Sequence, residues 1–298
     1  MELTGAQIIA ECLLEQRVDT VFGYPGGAVL NIYDALYEYR DRIRHVLTAH
    51  EQGAAHAADG YARSTGKAGV VIATSGPGAT NLVTGIATAY MDSIPMVAIT
   101  GNVAVELLGR DSFQEVDITG ITMPVTKHNF AVKRVEDLAD IIRRAFQIAQ
   151  SGRPGPVLID VPIDMQQKSI PDFDYSRPVD IIGYKPRVQG HSLQIKKAVD
   201  ALRTCKRPVI CVGGGVFSAG AQKELCAFIE KLNLPAISTM MGIGALPTAH
   251  PLNLGMLGSH GCAPANKAIR DADLVIMAGA RVGDRAVAAP GQVATRAK

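Results

Sequence analysis

The run Thr48-Ala-His-Glu51, continuing Gln52-Gly-Ala-Ala-His-Ala-Ala-Asp-Gly-Tyr-Ala-Arg63, sets a carboxylate at the head of a stretch rich in small residues. Two kinds of chemistry are open to Glu51. In a capping box, Thr48 and Glu51 would satisfy the free amides of a helix's first turn. Alternatively, the apolar face of Ala54, Ala55 and Ala58 lets another surface approach closely and exclude water. A carboxyl group held there would have its pKa raised and could share a proton with a heterocycle nitrogen.

Other candidates lie in glycine-containing turns. Tyr24-Pro25-Gly26-Gly27 and Ser75-Gly76-Pro77-Gly78-Ala79-Thr80-Asn81 each follow an apolar run and read as strand-to-helix loops, where glycine lets a ligand approach the backbone. Loops at the carboxyl ends of parallel strands line the usual ligand crevice, which ties both turns to Glu51. A third turn, Val212-Gly213-Gly214-Gly215-Val216-Phe217-Ser218-Ala219-Gly220, resembles a dinucleotide fingerprint, with Ser218 in place of the third glycine. The strand expected at Ala236 to Thr239 carries no acidic residue for a ribose hydroxyl, which disfavours a standard NAD site. A flavin dinucleotide bound in another mode remains open, with His260-Gly261 and the stretch Arg281 to Arg285 as contacts. Asp111 and Glu115 read either as an acid and base pair or as a solvated turn. The seven histidines lack metal-site spacing, so no metal ligand is assigned, and there is neither a Gly-x-Ser-x-Gly elbow nor a phosphate-binding Walker loop.

Short β-branched runs must position these residues: Thr20 to Gly23, Arg44 to Leu47, Gly69 to Thr74, Met96 to Thr100, Val157 to Val161, Val209 to Gly213, Ala236 to Thr239 and Leu274 to Ala278. They alternate with helical patterns, which predicts an α/β protein with two doubly wound parallel-sheet domains. Residues 1–166 form the first domain, 167–191 a Pro- and Gly-punctuated linker, and 192–298 a second domain. The second offers only three strands before the closing run Val293 to Lys298, so the chain reads as part of a longer protein. Thirty basic against 28 acidic side chains give a net charge of +2, which argues against a nucleic-acid partner. The 298 residues are 47% hydrophobic and 19% charged, which excludes a disordered chain, and the apolar runs are too interrupted for a membrane span. Five cysteines without CxxC spacing, and no export signal, fit reduced thiols in a cytoplasmic protein.

Six runs carry a resemblance to a known family: Phe22-Gly-Tyr-Pro-Gly-Gly27, His50 to Arg63, Thr74-Ser-Gly-Pro-Gly78, Phe113-Gln-Glu115, Thr126-Lys-His-Asn129 and Ser151-Gly-Arg-Pro-Gly-Pro156. In this order they resemble the large catalytic subunit of acetolactate synthase, a thiamine diphosphate enzyme. The resemblance implies a pyrimidine-binding domain followed by an incomplete central FAD-associated domain, with the diphosphate-binding domain and its magnesium ligands outside this sequence. It implies decarboxylation of pyruvate and condensation of the two-carbon unit with a second 2-oxo acid, an activity not expected of these residues alone. Glu51 would bond N1′ of the aminopyrimidine, so that the cofactor's own 4′ nitrogen can act as base.

By the same resemblance, Tyr24, Pro25, Gly26, Gly27, Pro77, Gly78 and Asn81 lie near the pyrimidine. Phe113 and Gln114 face the reacting centre, where Gln114 offers a donor to developing charge on oxygen. Arg153, Gly213, Gly214, His260, Gly261 and Arg281 are the implied FAD contacts, and Lys127 and Arg285 join Phe113 and Gln114 toward substrate. Arg281-Val-Gly-Asp-Arg285 departs from the family's Arg-Phe-Asp-Asp-Arg, and Ile163 replaces a common lysine. A homodimer or homotetramer and a regulatory small subunit are implied partners. The alternatives are a noncatalytic FAD-binding or assembly module, or a related enzyme such as pyruvate oxidase or sulfoacetaldehyde acetyltransferase.

Overall fold

A computed structural model of the chain describes residues 2–174, 178–287 and 294–297. Val293 and Lys298 of the closing run lie outside the described residues. The chain divides into two compact units, residues 1–187 and 188–298.

The strands of the first unit are β1 (Leu3–Thr4), β2 (Thr20–Tyr24), β3 (Arg44–Leu47), β4 (Gly69–Ala73), β5 (Met96–Asn102), β6 (His128–Ala131), β7 (Pro156–Pro162) and β8 (Ser169–Ile170). Its helices are α1 (Gly5–Glu15), α2 (Leu30–Glu38), α3 (Glu51–Thr65), α4 (Pro77–Asn81), α5 (Val83–Asp92), α6 (Ile118–Thr122), α7 (Leu138–Gln150) and α8 (Ile163–Gln167). Six strands form a parallel sheet in the order β3-β2-β4-β5-β7-β6, and β1 pairs antiparallel with β8.

Side chains alternate across the sheet with period two, so each strand feeds two cores. Val70, Ile72, Val97, Ile99, Val157 and Ile159 pack with Ile8, Ile9 and Leu13 of α1 and Ile142 and Phe146 of α7. Val71, Ala73, Ala98 and Leu158 face the opposite side, with Ala54, Ala55 and Ala58 of α3 and Ile86 and Ala89 of α5. Helices on both faces make this a doubly wound α/β unit. The alanine face of α3, which the sequence reading left open to another surface, is filled from within: a Cβ on Gly85 would collide with the Ala55 side chain, and one on Gly69 with the Ala58 carbonyl.

Much of segment 167–191 docks on this unit. Phe173 is buried in the core, and Ile181 and Tyr184 pack against it. Arg143, 4% exposed, donates to Glu15 Oε2 and to the Asp174 carbonyl, both at 2.7 Å, joining α1, α7 and the segment.

The second unit holds β9 (Pro208–Val212), β10 (Ala236–Ser238), β11 (Asn253–Met256) and β12 (Leu274–Ala278), with α9 (Ser192–Thr204), α10 (Gly215–Ser218), α11 (Gln222–Leu232) and α12 (Ala263–Asp271). The sheet is parallel in the order β11-β10-β9-β12, one strand more than the sequence suggested. Ile210, Val212 and Ala236 face Leu225 and Ile229 of α11, whereas Val209, Cys211 and Ile237 face Ala265 and Ile269 of α12. All five cysteines are free, and burial pushes the Cys12 and Cys211 thiols up to about 12 and about 11. Among the described residues no helix is long and apolar enough to cross a membrane.

The α3–α5 contact sets a test of the packing. Gly85→Val forces a side chain into Ala55, and overpacking of this kind costs about 1–3 kcal/mol. Thermal melting should show the first unit unfolding roughly 2–12 °C lower, at about 2–4 °C per kcal/mol for this size.

Candidate active site

In the six-stranded sheet the chain leaves β2 toward β3, crosses back over β2, and enters β4 on its other side. The connection after β2 runs to α2 on one face and that after β4 to α4 and α5 on the other, so the loops part above the β2–β4 seam. Such a switch point opens a crevice at the carboxyl ends of the strands. Three segments meet there: Tyr24 to Gly27 after β2, Thr48 to Glu51 after β3, and Thr74 to Asn81 after β4.

Thr74 organises the two glycine turns. Its Oγ1 accepts from Ala28 N at 3.1 Å, and its methyl lies 2.5 Å from a Cβ built on Gly26 and 2.7 Å from one on Gly78. Both positions therefore exclude any side chain, because the turns close onto Thr74. A Cβ on Gly78 would also come within 3.4 Å of Glu51 Oε1, so glycine keeps the space over the carboxylate clear. Nothing lies within 4 Å of a Cβ built on Gly27.

The capping-box reading of Thr48 and Glu51 does not hold. Helix α3 begins at Glu51 itself, and its cap is His50, whose Nδ1 accepts from Gln52 N at 3.1 Å. Thr48 instead donates to the His50 carbonyl at 3.0 Å. The chain turns into helix two residues later than the box requires, so the Glu51 carboxylate is not drawn back onto its own backbone. It accepts from Asn81 Nδ2 at 3.0 Å through Oε2, its one hydrogen-bond partner among the described residues. Oε1 is left available, and the side chain is half-buried. Tyr33 stands close by and donates to the Ile72 carbonyl at 3.2 Å; burial and the charge of Glu51 push its phenol up, so it stays neutral.

Gln114 reaches the same edge from the 103–117 loop. A Cβ on Gly76 would lie 2.6 Å from the Gln114 carbonyl, so this loop rests on the turn that begins α4. Gln114 has φ 55°, a left-handed backbone, and Phe113 is 85% exposed. Asp111 is exposed in the same loop, while Glu115 accepts from Gly109 N at 3.1 Å and so stabilises the turn itself.

Lys127 and Arg153 lie elsewhere. Lys127 precedes β6 and its backbone bonds Pro156, the first residue of β7, so it sits at the amino edge of a parallel sheet. That is the length of a seven-residue strand, roughly 23 Å, from the carboxyl edge. Its ammonium is taken up by the Ile148 carbonyl, the Ser151 carbonyl at 2.8 Å and Tyr184 Oη at 3.1 Å. Arg153 is exposed at the same edge and donates to Ser93 Oγ at 2.7 Å.

In the second unit, Gly213 and Gly214 follow β9 at the carboxyl edge, with Gly279 and Ala280 of the turn after β12 beside them. Gly213 N donates to Ala278 O at 2.9 Å and Gly215 N to Gly279 O at 3.0 Å, so these amides are spent on the neighbouring turn. Helix α10 behind them is only four residues long. His260 is exposed and its Nδ1 bonds Ser259 Oγ at 3.2 Å; Gly261 closes onto the Met256 carbonyl. Arg281 and Arg285 are exposed after β12. A cavity of about 360 Å³ lies beside this edge, lined by Val212, Ser238, Gly242, Asn253, Gly255 and Cys262 among others.

Sequence reasoning passed over Thr74 as a site residue, and over Thr100, Asn102 and Asp160, a buried polar group near the root of the Gln114 loop. Its signal was an Asp and an Asn interrupting otherwise apolar strand runs. Gly76, at φ 57° and ψ −117°, is the residue whose replacement tests the loop's seat. Gly76→Ala should cost about 1–3 kcal/mol in strain. Because a Cβ there meets Gln114, trypsin should cleave after Arg110 faster than in the parent, with melting recording the strain.

Comparison with known proteins agrees with this geometry. Residues 3–121 match the family described as the thiamine pyrophosphate enzyme, N-terminal TPP binding domain, and residues 195–298 match the central domain of the same enzymes. The chain is 52% identical over 285 residues to a probable acetolactate synthase large subunit of Methanocaldococcus jannaschii, covering 95% of this chain and 48% of that protein. It is 50% identical over 285 residues to the acetolactate synthase large subunit of Haemophilus influenzae and to the isozyme 3 large subunit of Escherichia coli, covering 50% and 49% of those proteins. The chain thus spans about half the length of the curated relatives it matches. With a carboxylate and an amide meeting at the switch point of its first sheet, and with both domain matches in order, the chain belongs to the thiamine pyrophosphate enzymes, of which it carries the N-terminal and central domains.

Proposed function

We propose that the whole protein is an acetolactate synthase, joining the two-carbon unit of pyruvate to a second 2-oxo acid, and that this chain supplies the pyrimidine side of its site. The observation that carries the proposal is Glu51: one carboxylate oxygen is oriented by Asn81, and the other faces space kept clear by Gly78. That donor set fits an aminopyrimidine, since a carboxylate with one oxygen committed can share a proton with a ring nitrogen through the other. Thiamine diphosphate, when bound, supplies the electron sink for cleavage next to a carbonyl. Glu51 would hold and return the proton at N1′, and Asn81 would keep the carboxylate aimed. Tyr24, Pro25, Gly26, Gly27 and Pro77 would wall the ring, while Gln114 would donate to charge developing on substrate oxygen beside Phe113.

The remaining assignments belong to the same proposal. Residues 1–166 would be the pyrimidine-binding domain and 192–298 the FAD-associated one, joined through 167–191. Because the Gly213 and Gly215 amides are already bonded, FAD would be held at the second unit's carboxyl edge mainly by side chains, with Arg281 as its cation and the His260 imidazole as a hydrogen-bonding group. Arg153 and Lys127, at the amino edge of the first unit, would act at a surface separate from the Glu51 crevice, and Arg285 toward a substrate carboxylate. By the same resemblance, this reading assigns magnesium and the diphosphate to the other half of the whole protein. A homodimer or homotetramer, a regulatory small subunit and a cytoplasmic location complete the proposal; that the relatives are named large subunits supports the small subunit.

In the full-length protein, Glu51→Gln should retain thiamine diphosphate binding and lower acetolactate formation from pyruvate by about 10²- to 10⁴-fold, the usual range for losing a positioned proton carrier. A coupled assay with magnesium and the cofactor checks this. An undiminished rate overturns the assignment, and pyruvate consumption without acetolactate points to a relative such as pyruvate oxidase.

A further inference from the structure

Asp160 is a buried carboxyl group that the chemistry above does not use. It lies in β7, 5% exposed, level with Thr100 of β5 and Ala131 of β6. Thr100 Oγ1 donates to its Oδ1 at 2.7 Å, and Asn102 Nδ2 donates to its Oδ2 at 2.6 Å. The Asn102 Oδ1 in turn accepts the N–H of Val103 at 2.8 Å. Val103 is the first residue of the loop that carries Phe113 and Gln114. A second carboxylate pins the same root, since Val105 N donates to Asp164 Oδ1 at 3.1 Å.

The series from Asp160 to Val103 has a direction. An ionised carboxylate only accepts, so it holds Asn102 with its NH₂ turned inward and its carbonyl turned out onto Val103. A proton on Oδ2 would set donor against donor. Rotating the amide to accept that proton would place NH₂ against the Val103 N–H and break the link. A proton on Oδ1 is accommodated only if the Thr100 hydroxyl reverses.

The surroundings bring this proton into a useful range. Burial pushes Asp160 up to about 6, against the pull of the Asn102 and Thr100 hydrogen bonds, and the charges of Asp117 and Glu115 add to the rise. Those two carboxylates act on it through space from the start of α6 and from the loop, and Asp164 of α8 holds Val105 at the loop's root; Thr100 and Asn102, which bond it, and Ala131, which pairs with it, carry no charge.

We propose that Asp160 is a positioning residue acting as a proton-controlled latch: ionised, it fixes where the Phe113–Gln114 loop leaves β5, and protonated at Oδ2, the oxygen that Asn102 holds, it releases Asn102 and loosens that loop. The consequence for a reaction at Gln114 rests on the thiamine reading, whereas the latch itself does not.

The test is amide hydrogen exchange on this 298-residue chain without cofactor, resolved by segment with mass spectrometry, each rate divided by the intrinsic rate at its pH. From about pH 5 to about pH 8, protection of the segment containing Val103 to Val105 should rise roughly tenfold, with its midpoint near 6. Segments from α9 to α12 should show no such step. Asp160→Asn should abolish the step, and Asn102→Leu should leave protection low at every pH. Flat protection in the parent chain, or a step that survives in Asp160→Asn, overturns the latch. Should Asp160→Asn fail to fold, the parent pH series and Asn102→Leu decide it. Because no cofactor is present, a negative result leaves the Glu51 assignment standing, and failure of the Glu51→Gln experiment leaves the latch standing.

Discussion

The crevice of the first unit is organised around a carboxylate held away from its own helix. Glu51 is the first residue of α3, where the helix dipole favours a negative charge, and a carboxylate in that position would ordinarily fold back onto free amides. His50 takes the Gln52 amide with its imidazole, and Asn81 offers the carboxylate an external donor. A hydrogen bond to an ionised group contributes roughly 1.5–3 kcal/mol, enough to choose one rotamer among several. The result is an oriented oxygen pair with one member committed and the other facing the crevice.

That orientation is only as good as the distance between α3 and α4, which the small residues set. Ala55 against Gly85 brings α3 and α5 nearly to backbone contact, and Ala58 against Gly69 presses α3 onto β4. Thr74 then draws the Gly26 and Gly78 turns together from below. A larger side chain at any of these contacts would move Asn81 relative to Glu51, although none of the packing residues touches the carboxylate's free oxygen. Apolar packing and site geometry are thus one constraint, because interiors at crystal-like density transmit displacement instead of absorbing it.

The parallel sheets and their residue ranges were legible in the sequence wherever a strand is buried on both faces, as in Gly69 to Ala73 and Val157 to Val161, since such strands read as continuous apolar runs. Strand β6, His-Asn-Phe-Ala, and strand β11, Asn-Leu-Gly-Met, escaped because polar residues or glycine break up four-residue runs, whereas β3 and β12, edges of the same sheets, were read. Glu51 was legible as a candidate, but its geometry was not: Thr48 and Glu51 have capping-box spacing, and nothing local reveals that the chain enters the helix two residues late. Lys127 was assigned to substrate and Arg153 to FAD by resemblance alone. Their place at the amino edge follows from strand direction, which becomes visible only when the pairing is known.

The second unit shows what the shared topology leaves undecided. Its chain also reverses around a central strand, leaving β9 toward β10 and returning to β12 on the other side, and it also places a glycine turn at the reversal. In the first unit the glycines make room beside a charged side chain, whereas in the second they let two backbone turns bond each other through Gly213 and Gly215. Amides engaged in that way cannot also cradle a phosphate, and the four-residue α10 behind them adds little dipole. The exposed Arg281, Arg285 and His260 lie on the loops that border this edge. Two sheets with the same winding thus differ at the reversal: in one the glycine turns close onto Thr74 and leave a carboxylate oxygen facing the crevice, and in the other two backbone turns bond each other.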